Sequence, residues 1–575
     1  MHKSPMIVAV LLACAGAWLA AADGPPPQPL SSQVANAAIE RFPKGSLSSP
    51  GKARHYDLAM LLEGIDASWY GTADGRYYDY IQDSIDPLMA PGGDLSSSDP
   101  AANSLDDILL GRQLLLLYRV KLDPRYYQAA TVLRRRLGSE PAASSAGLTG
   151  ELIDHRVGLT QPFLAEYASV FNQPGDFGEI TRHLAAIDQH IRDSKTAPGL
   201  SALGMARYMM ALADSLPYYP DDDPGRTQLI EILKRTAAAA VHFQDAGSGL
   251  WYQVLGKTGG QGNSFASSTA CMFTYALEKG VRLGYLPQGY QARAQRSWRG
   301  IQSHRSDPEI MNDPQALGAF LLAASEMEKA TEATTGLGKT VLLDAWYNSQ
   351  TRKNGAGQTI LFHYKWDDFS NSGFSFFGHI FRMHGAATKT LTTAPIVDNL
   401  KAAQFYIIVS PDNPSKTPQP HYMNAQDAGQ IAAWVKQGGV LIMMENDPDN
   451  ADITHLDVLA DIFGLHFNNV LTHYVIGDQF DMGRMELPHP TAPFTRPHIL
   501  YMKDTCSLSL SRGATPLLQW KGDTMMAVAH YGKGTVVAVT DPWLYNEYTD
   551  GRKLPPDYDN FAAGQEFVRW LLQQP

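Results

Sequence analysis

Two stretches decide the fold: "TADGRYYDYI", Thr72–Ile81, and "KLDPRYYQAA", Lys121–Ala130. Asp74, Arg76 and the pair Tyr77-Tyr78 of the first recur 49 positions later as Asp123, Arg125 and Tyr126-Tyr127. Each copy follows an apolar run, "YDLAMLLEGIDASWY" before the first and "LDDILLGRQLLLLYRV" before the second. A run apolar almost all round, such as Ile108 to Tyr118, suits an inner helix. One with a single charged side, such as "PRYYQAATVLRRRL", suits an outer helix. The repeated acid-x-Arg-Tyr-Tyr element is then the turn that carries the chain from inner to outer helix. A looser third echo, "EYASVFNQPGDFGEITRHL", places Asp176 and Phe177 at the corresponding positions. Repeats of this length are stacked supersecondary units. Residues 33 to 330 have room for six such hairpins, and closing them into a ring gives an α/α barrel, or toroid. Arg134-Arg135-Arg136 fall on an outer helix and read as a solvated face.

A chain of 575 residues exceeds one ordinary core, and 44% hydrophobic with 18% charged residues is a globular composition. After Lys339 the texture changes. "TVLLDAWY", "QFYIIVSPD", "GVLIMMEND" and "GTVVAVTDPW" read as buried parallel strands, and "AQDAGQIAAWVKQGG" as an amphipathic helix closed by glycine. The expected architecture is therefore multidomain, with an α/α six-hairpin barrel over residues 23–335 and an α/β domain over 340–575. The α/β domain is expected to pack on the barrel. Ligands of such sheets sit beyond the carboxyl ends of the strands. Those ends carry "SPDNP", "ENDPDN" and "DPWLYNEYTDG", in which no cysteine or serine is expected in a nucleophile-elbow setting.

The net charge of −11 and the lack of a basic stripe argue against a nucleic-acid partner. Lys3, the apolar run Met6 to Leu19 and the small residues up to Ala22 read as an export signal over residues 1–22. The expected location is periplasmic or secreted, with Cys14 as an alternative point of lipid attachment. Cys271 and Cys506 alone remain downstream, too few for a disulfide framework or a multi-cysteine metal site. His363, Asp367, Asp368 and His379 match no standard zinc spacing, so no metal and no cofactor is expected.

Candidate chemistry lies at the barrel rim. In "NSLDDILLG", Ser104 and Asp107 suit a capping box, which leaves Asp106 as either a partner of the helix dipole or a functional acid. In "GELIDHRVGLTQPFLAEYASVF", Asp154, His155 and Arg156 form a charged loop ahead of a helix beginning near Pro162.

The order "HYDLAMLLEGI", "SLDDILLGRQLLLLY", "QPFLAEYASVF", "GLWYQV" and "NSFASSTACMFTYALEKGVRLGYLP" resembles the unsaturated rhamnogalacturonyl hydrolases, glycoside hydrolase family 105. "HYKWDDFSNSGFSFFGHIFRMHGA", "YIIVSPDNP" and "GKGTVVAVTDPWLYNEYTDGRKLP" are similar to the flavodoxin- and amidotransferase-like α/β domain appended to some members. The resemblance implies exo-acting removal of a 4,5-unsaturated uronic acid from a lyase-cut, rhamnogalacturonan-type oligosaccharide, by hydration of a vinyl ether. It assigns Asp106 and Asp154 as catalytic and Tyr56 and His155 as substrate-binding. Its arginine- and tryptophan-bearing clamp for the uronate is replaced by "SALGMARYMMALAD", with Leu203 and Arg207, and an expected glutamate is Ala266. Two alternatives stay open: a barrel enzyme acting on another uronate-containing substrate, and a non-catalytic carbohydrate-binding or assembly protein.

Overall fold

The computed structural model describes residues 28–46, 54–90, 95, 105–139, 150–193, 201–257, 262–304, 308–332 and 335–575. The segment expected to be an export signal, with Cys14, lies outside them. The chain divides into two compact units. One runs up to Thr72 and from Arg76 to Ala330, and the other holds Thr331–Pro575 with Ala73–Gly75. No helix among the described residues is long and apolar enough to cross a membrane.

The first unit is helical. It begins with α1 (Leu30–Arg41), followed by five hairpins: α2 (Arg54–Thr72) with α3 (Gly75–Ile85), α4 (Gly111–Lys121) with α5 (Pro124–Ser139), α6 (Gly150–Val170) with α7 (Gly175–Asp193), α8 (Ala202–Ser215) with α9 (Pro224–His242), and α10 (Ser267–Arg282) with α11 (Gln291–Ser303). It ends with α12 (Pro314–Glu332). The even-numbered helices are the inner ones: α8 is buried from Met205 to Ser215 and α12 from Ala316 to Glu326. Outer helices bury a single stripe, as α9 does with Leu229, Ile232, Leu233, Thr236, Ala237 and Ala240.

The ring closes where α12 reaches α2. A Cβ on Gly318 would stand 2.1 Å from the Met60 carbonyl oxygen, and one on Gly64 would stand 2.8 Å from the Gly318 carbonyl oxygen. The sixth outer position is filled from the chain's other end. The Ser31 N–H and Oγ of α1 donate to the Glu328 carboxylate of α12 at 2.9 and 2.5 Å.

This arrangement explains the sequence repeat. Ala73, Leu122 and Asn172 end three inner helices in the left-handed region, at φ +54°, +58° and +45°, which turns the chain outward. Asp123 then caps the next helix by accepting from the Arg125 N–H at 2.9 Å. The first tyrosine of each pair reaches back to the preceding outer element: Tyr77 donates to the Ser32 carbonyl at 3.2 Å, and Tyr126 to Asp86 at 2.6 Å. The second packs inward, Tyr78 on Trp69 and Tyr127 on Tyr118 and Phe171. The arginine run is less solvated than its sequence suggests. Arg134 bonds Asp176 at 2.6 Å, which stitches α5 to the next turn, and Arg136 reaches Asp107 at 3.4 Å.

The second unit is built on a seven-stranded sheet made of β1 (Thr340–Asp344), β2 (Ala387–Leu391), β3 (Phe405–Val409), β4 (Val440–Met444), β5 (Thr515–Trp520), β6 (Asp523–Tyr531) and β7 (Gly534–Val539). Its order is β5-β6-β7-β4-β3-β1-β2. The pairs from β7 through β4, β3 and β1 to β2 are parallel, and β5-β6-β7 is antiparallel. Helices α13 (Ser375–Met383), α14 (Ala425–Lys436), α15 (Ile453–Ala460) and α16 (Asn560–Leu572) accompany it. The predicted helix is α14, capped by Asn424, whose Oδ1 accepts from the N–H groups of Gln426 and Asp427. Ser410 directly follows β3 with φ +38°, but Pro411 comes next and no helix starts before Ala425, so this is not the strand-to-helix turn of a nucleophile elbow.

Because Gly318 faces backbone that cannot yield, Gly318→Ala is expected to destabilise the protein by about 2–4 kcal/mol, well beyond Gly175→Ala at an open position. Denaturant unfolding of the two variants checks this.

Candidate active site

All six inner helices run in the same direction, so their N-terminal ends share one rim. Tyr56 lies in the first turn of α2 and Arg207 in the second turn of α8. Asp106 lies in the short helix Leu105–Ile108 ahead of α4. Asp154 and His155 belong to the beginning of α6, which starts at Gly150 and takes Pro162 into its interior. The expected loop before a helix near Pro162 is thus helix already. The side chains of Asp106, Asp154 and His155 lie outside the described residues.

The guanidinium of Arg207 stands 4.6 Å from the centroid of the Tyr56 ring. Both residues are buried, Arg207 at 6% exposure and Tyr56 at 4%. Burial holds the Tyr56 hydroxyl firmly protonated, against the opposing pull of Arg207. The Arg207 Nε has no hydrogen-bond partner, and the ion pairs among the described residues give Arg207 no carboxylate. A ring face offsets only part of the cost of desolvating a cation, and among the described residues this guanidinium has no anion. Leu203, at the place expected for the clamp, is four residues before Arg207 and shares its face of α8. The segment that stands in for the clamp thus carries a buried cation one turn further along the helix.

Asp107 is more than a helix cap. It is 2% exposed, lies 2.6 Å from His55 Nδ1 through Oδ1 and accepts from Arg136 through Oδ2, joining α2, the short helix and α5. Ser104, the other half of the expected capping box, is outside the described residues.

Every inner helix contributes to a buried ionic network, α4 from its first turn through Arg112 and α8 from its last through Asp214. Arg112 donates to Glu63 at 3.0 Å and to Glu166 at 3.4 Å, and lies 3.8 Å from Asp214. Asp214 also receives Tyr275 at 2.7 Å and a close contact from Lys279. Arg282 binds Glu326 through two bonds of 2.7 and 2.9 Å, and Lys329 joins it at 3.2 Å. The one misfit is Asp66, whose Oδ1 is sealed from solvent without a partner. Burial raises its pKa to about 7, with Arg112 opposing. No spacing rule pointed to this network. Its only trace in sequence is the presence of charges inside otherwise apolar inner runs.

A closed ring of helical hairpins with its polar rim at the inner N-terminal ends is an α/α barrel. Residues 30–200 and 202–311 of the helical unit match the family model of Glycosyl Hydrolase Family 88. The α/β unit lies outside the match. Among curated relatives, Protein Atu3128 of Agrobacterium fabrum and a 24.9 kDa protein in the picA locus of Rhizobium radiobacter are each 33% identical over 140 residues. That is 24% of this chain, and the chain spans 59% of the length of each. Among solved structures, a family 105 glycoside hydrolase of C. acetobutylicum is 24% identical with a TM-score of 0.46, covering 52% of this chain and 99% of its own. A family 88 glycosyl hydrolase from Bacteroides vulgatus is 16% identical with a TM-score of 0.43, covering 52% and 97%.

Asp66 gives the barrel a pH signature. A carboxyl whose folded pKa is raised is protonated in the folded state but ionised in the unfolded chain between its two pKa values. Its contribution is complete below the unfolded value of 3.8 and is lost as pH rises toward about 7. Wild-type stability is expected to fall by roughly 1.4 kcal/mol per pH unit across that window from this group alone. Asp66→Asn should flatten the slope, as read from denaturant unfolding between pH 4 and 7.

Proposed function

We propose that the helical unit is an exo-acting hydrolase. It removes a 4,5-unsaturated uronic acid from the end of lyase-generated oligosaccharides of the rhamnogalacturonan type. The observation that supports this reading best is Arg207, a buried guanidinium over the Tyr56 ring that has no carboxylate among the described residues. A uronate supplies both missing parts, a carboxylate for the guanidinium and a sugar face for an aromatic wall.

The chemistry needs an acid that holds a proton and a base that steers water. Asp106 and Asp154, near the beginnings of neighbouring inner helices, take these parts, and His155 joins Tyr56 in contacting the sugar. Proton transfer to C4 of the C4–C5 double bond leaves positive charge at C5 shared with the ring oxygen. Water adds at C5 and gives up its proton to the base. The resulting hemiketal opens, releasing the aglycone without attack at the anomeric carbon. An exported protein would meet such oligosaccharides in the periplasm or outside the cell.

The test follows the ultraviolet absorbance of the double bond when the full-length protein is mixed with lyase-digested pectic polysaccharide. Decay is expected. Asp106→Asn should fold normally and cut turnover by on the order of a hundredfold or more. Arg207→Leu should lower kcat/KM by roughly a hundredfold, because the uronate then lies buried without its cation. If Asp154→Asn is silent while His155→Ala is not, the histidine is the acid, and the pH optimum should follow its titration. Sugar binding with no decay on any uronate substrate would overturn the proposal in favour of a carbohydrate-binding protein.

A further inference from the structure

The α/β unit carries a second constellation at the carboxyl ends of β3, β4 and β7, independent of the barrel. The backbone ladder continues one residue past these strands. The Ser410 N–H donates to the Met444 carbonyl and the Glu445 N–H to the Val539 carbonyl, both at 2.8 Å. Ser410 and Glu445 therefore stand side by side, with Thr540 next in the row and Asp541 following it. Three oxygens here have no partner: Ser410 Oγ, Glu445 Oε2 and Asp541 Oδ1. Their residues are 3%, 0% and 2% exposed.

Each carboxylate is fixed by one oxygen and presents the other. Glu445 Oε1 accepts from the Asn446 N–H at 2.9 Å, and Asp541 Oδ2 accepts from the Lys503 N–H at 2.9 Å. The left-handed Ser410 has its carbonyl held by Asn348 Nδ2 at 3.0 Å, which fixes the turn that carries its hydroxyl. The Tyr364 hydroxyl lies beside Ser410 and Asn446 and within the field of Glu445 and Asp541. Charge is unbalanced. Asp447, Asp452 and Asp457 surround Glu445, while Asp447 and Asp504 face Asp541, and Lys503 is the cation that opposes them there.

Buried carboxylates are normally paired with a cation or a metal, and unpartnered buried oxygens are rare enough to need an explanation. Oxygen donors without nitrogen or thiolate select hard cations. The thiol of nearby Cys506 is turned to the Thr540 carbonyl and kept protonated by burial. We propose that these strand ends hold a divalent cation of the calcium or magnesium type, bound by Glu445, Asp541 and Ser410.

The test is thermal unfolding of the full-length protein in chelator, in calcium and in magnesium, with wild type beside a Glu445→Gln, Asp541→Asn double variant. The expected result is a rise in wild-type Tm with at least one cation, absent from the double variant. In chelator the double variant should melt no lower than wild type, since it removes repulsion and loses no bound ion. A rise with calcium alone fits a large flexible site, and one with magnesium alone a small octahedral site. No wild-type rise with either ion would overturn the proposal. An equal rise in the double variant would also overturn it and would point elsewhere, for example to the surface trio Asp457, Asp461 and His466. If the double variant does not fold, terbium luminescence sensitised by Tyr364 and Tyr545 replaces it. Ser410→Ala should then weaken terbium binding by on the order of tenfold, and unchanged binding would refute the site.

Discussion

The closing contact between Gly64 and Gly318 is the constraint on which the barrel depends. A ring of helices stays open unless its last inner member reaches its first. Here the two backbones approach so closely that neither position has room for a side chain. Once the ring is shut, six inner helices face one another and can share charges that no single hairpin could bury. Arg112 is the clearest case, since it serves carboxylates from α2, α6 and α8 together. Removing one member of such a set leaves the others uncompensated, which is costly in a low-dielectric interior. The polar interior is thus conditional on closure, and closure on two residues that contribute only their smallness.

The rim and the interior of the ring do different work. Deeper in the ring, the network of Arg112, Lys279, Arg282 and their carboxylates satisfies its charges internally. At the N-terminal rim the helix dipoles point their positive ends together, and Arg207 adds a guanidinium with no carboxylate among the described residues. An anion entering the ring finds the favourable end already chosen by helix polarity.

What was legible in the sequence were features that repeat or alternate. The 49-residue period carried the hairpins because every unit solves the same problem, a left-handed turn followed by a tyrosine that reaches back to the previous outer element. Runs of aliphatic residues carried the strands. Partners set by tertiary folding were not legible. Asp107 looked like a cap because Ser104 precedes it at the right spacing, whereas His55 comes from another helix. Arg207 was legible as a residue, but its burial against the Tyr56 ring of another helix was not. Pro162 was read as a helix start, yet α6 runs through it. Ser410 precedes a proline, which ordinarily favours extended backbone, and only the packing of the strand ends turns it left-handed.

The place of α1 has a kinetic meaning. Its anchor on Glu328 lies 297 residues along the chain, so α1 is made long before that seat exists. Until α12 has been made, α1 is held from α3, by Tyr77 on the Ser32 carbonyl, and the apolar stripe of Val34, Ala35 and Ala38 that the finished barrel buries is only partly covered. Closing so long a loop costs little more entropy than closing one half its length, because the cost grows only with the logarithm. The burden is one of time. The nascent barrel carries an unlatched terminus through the synthesis of five hairpins, and that interval is when a holding chaperone or a premature cut would decide its fate.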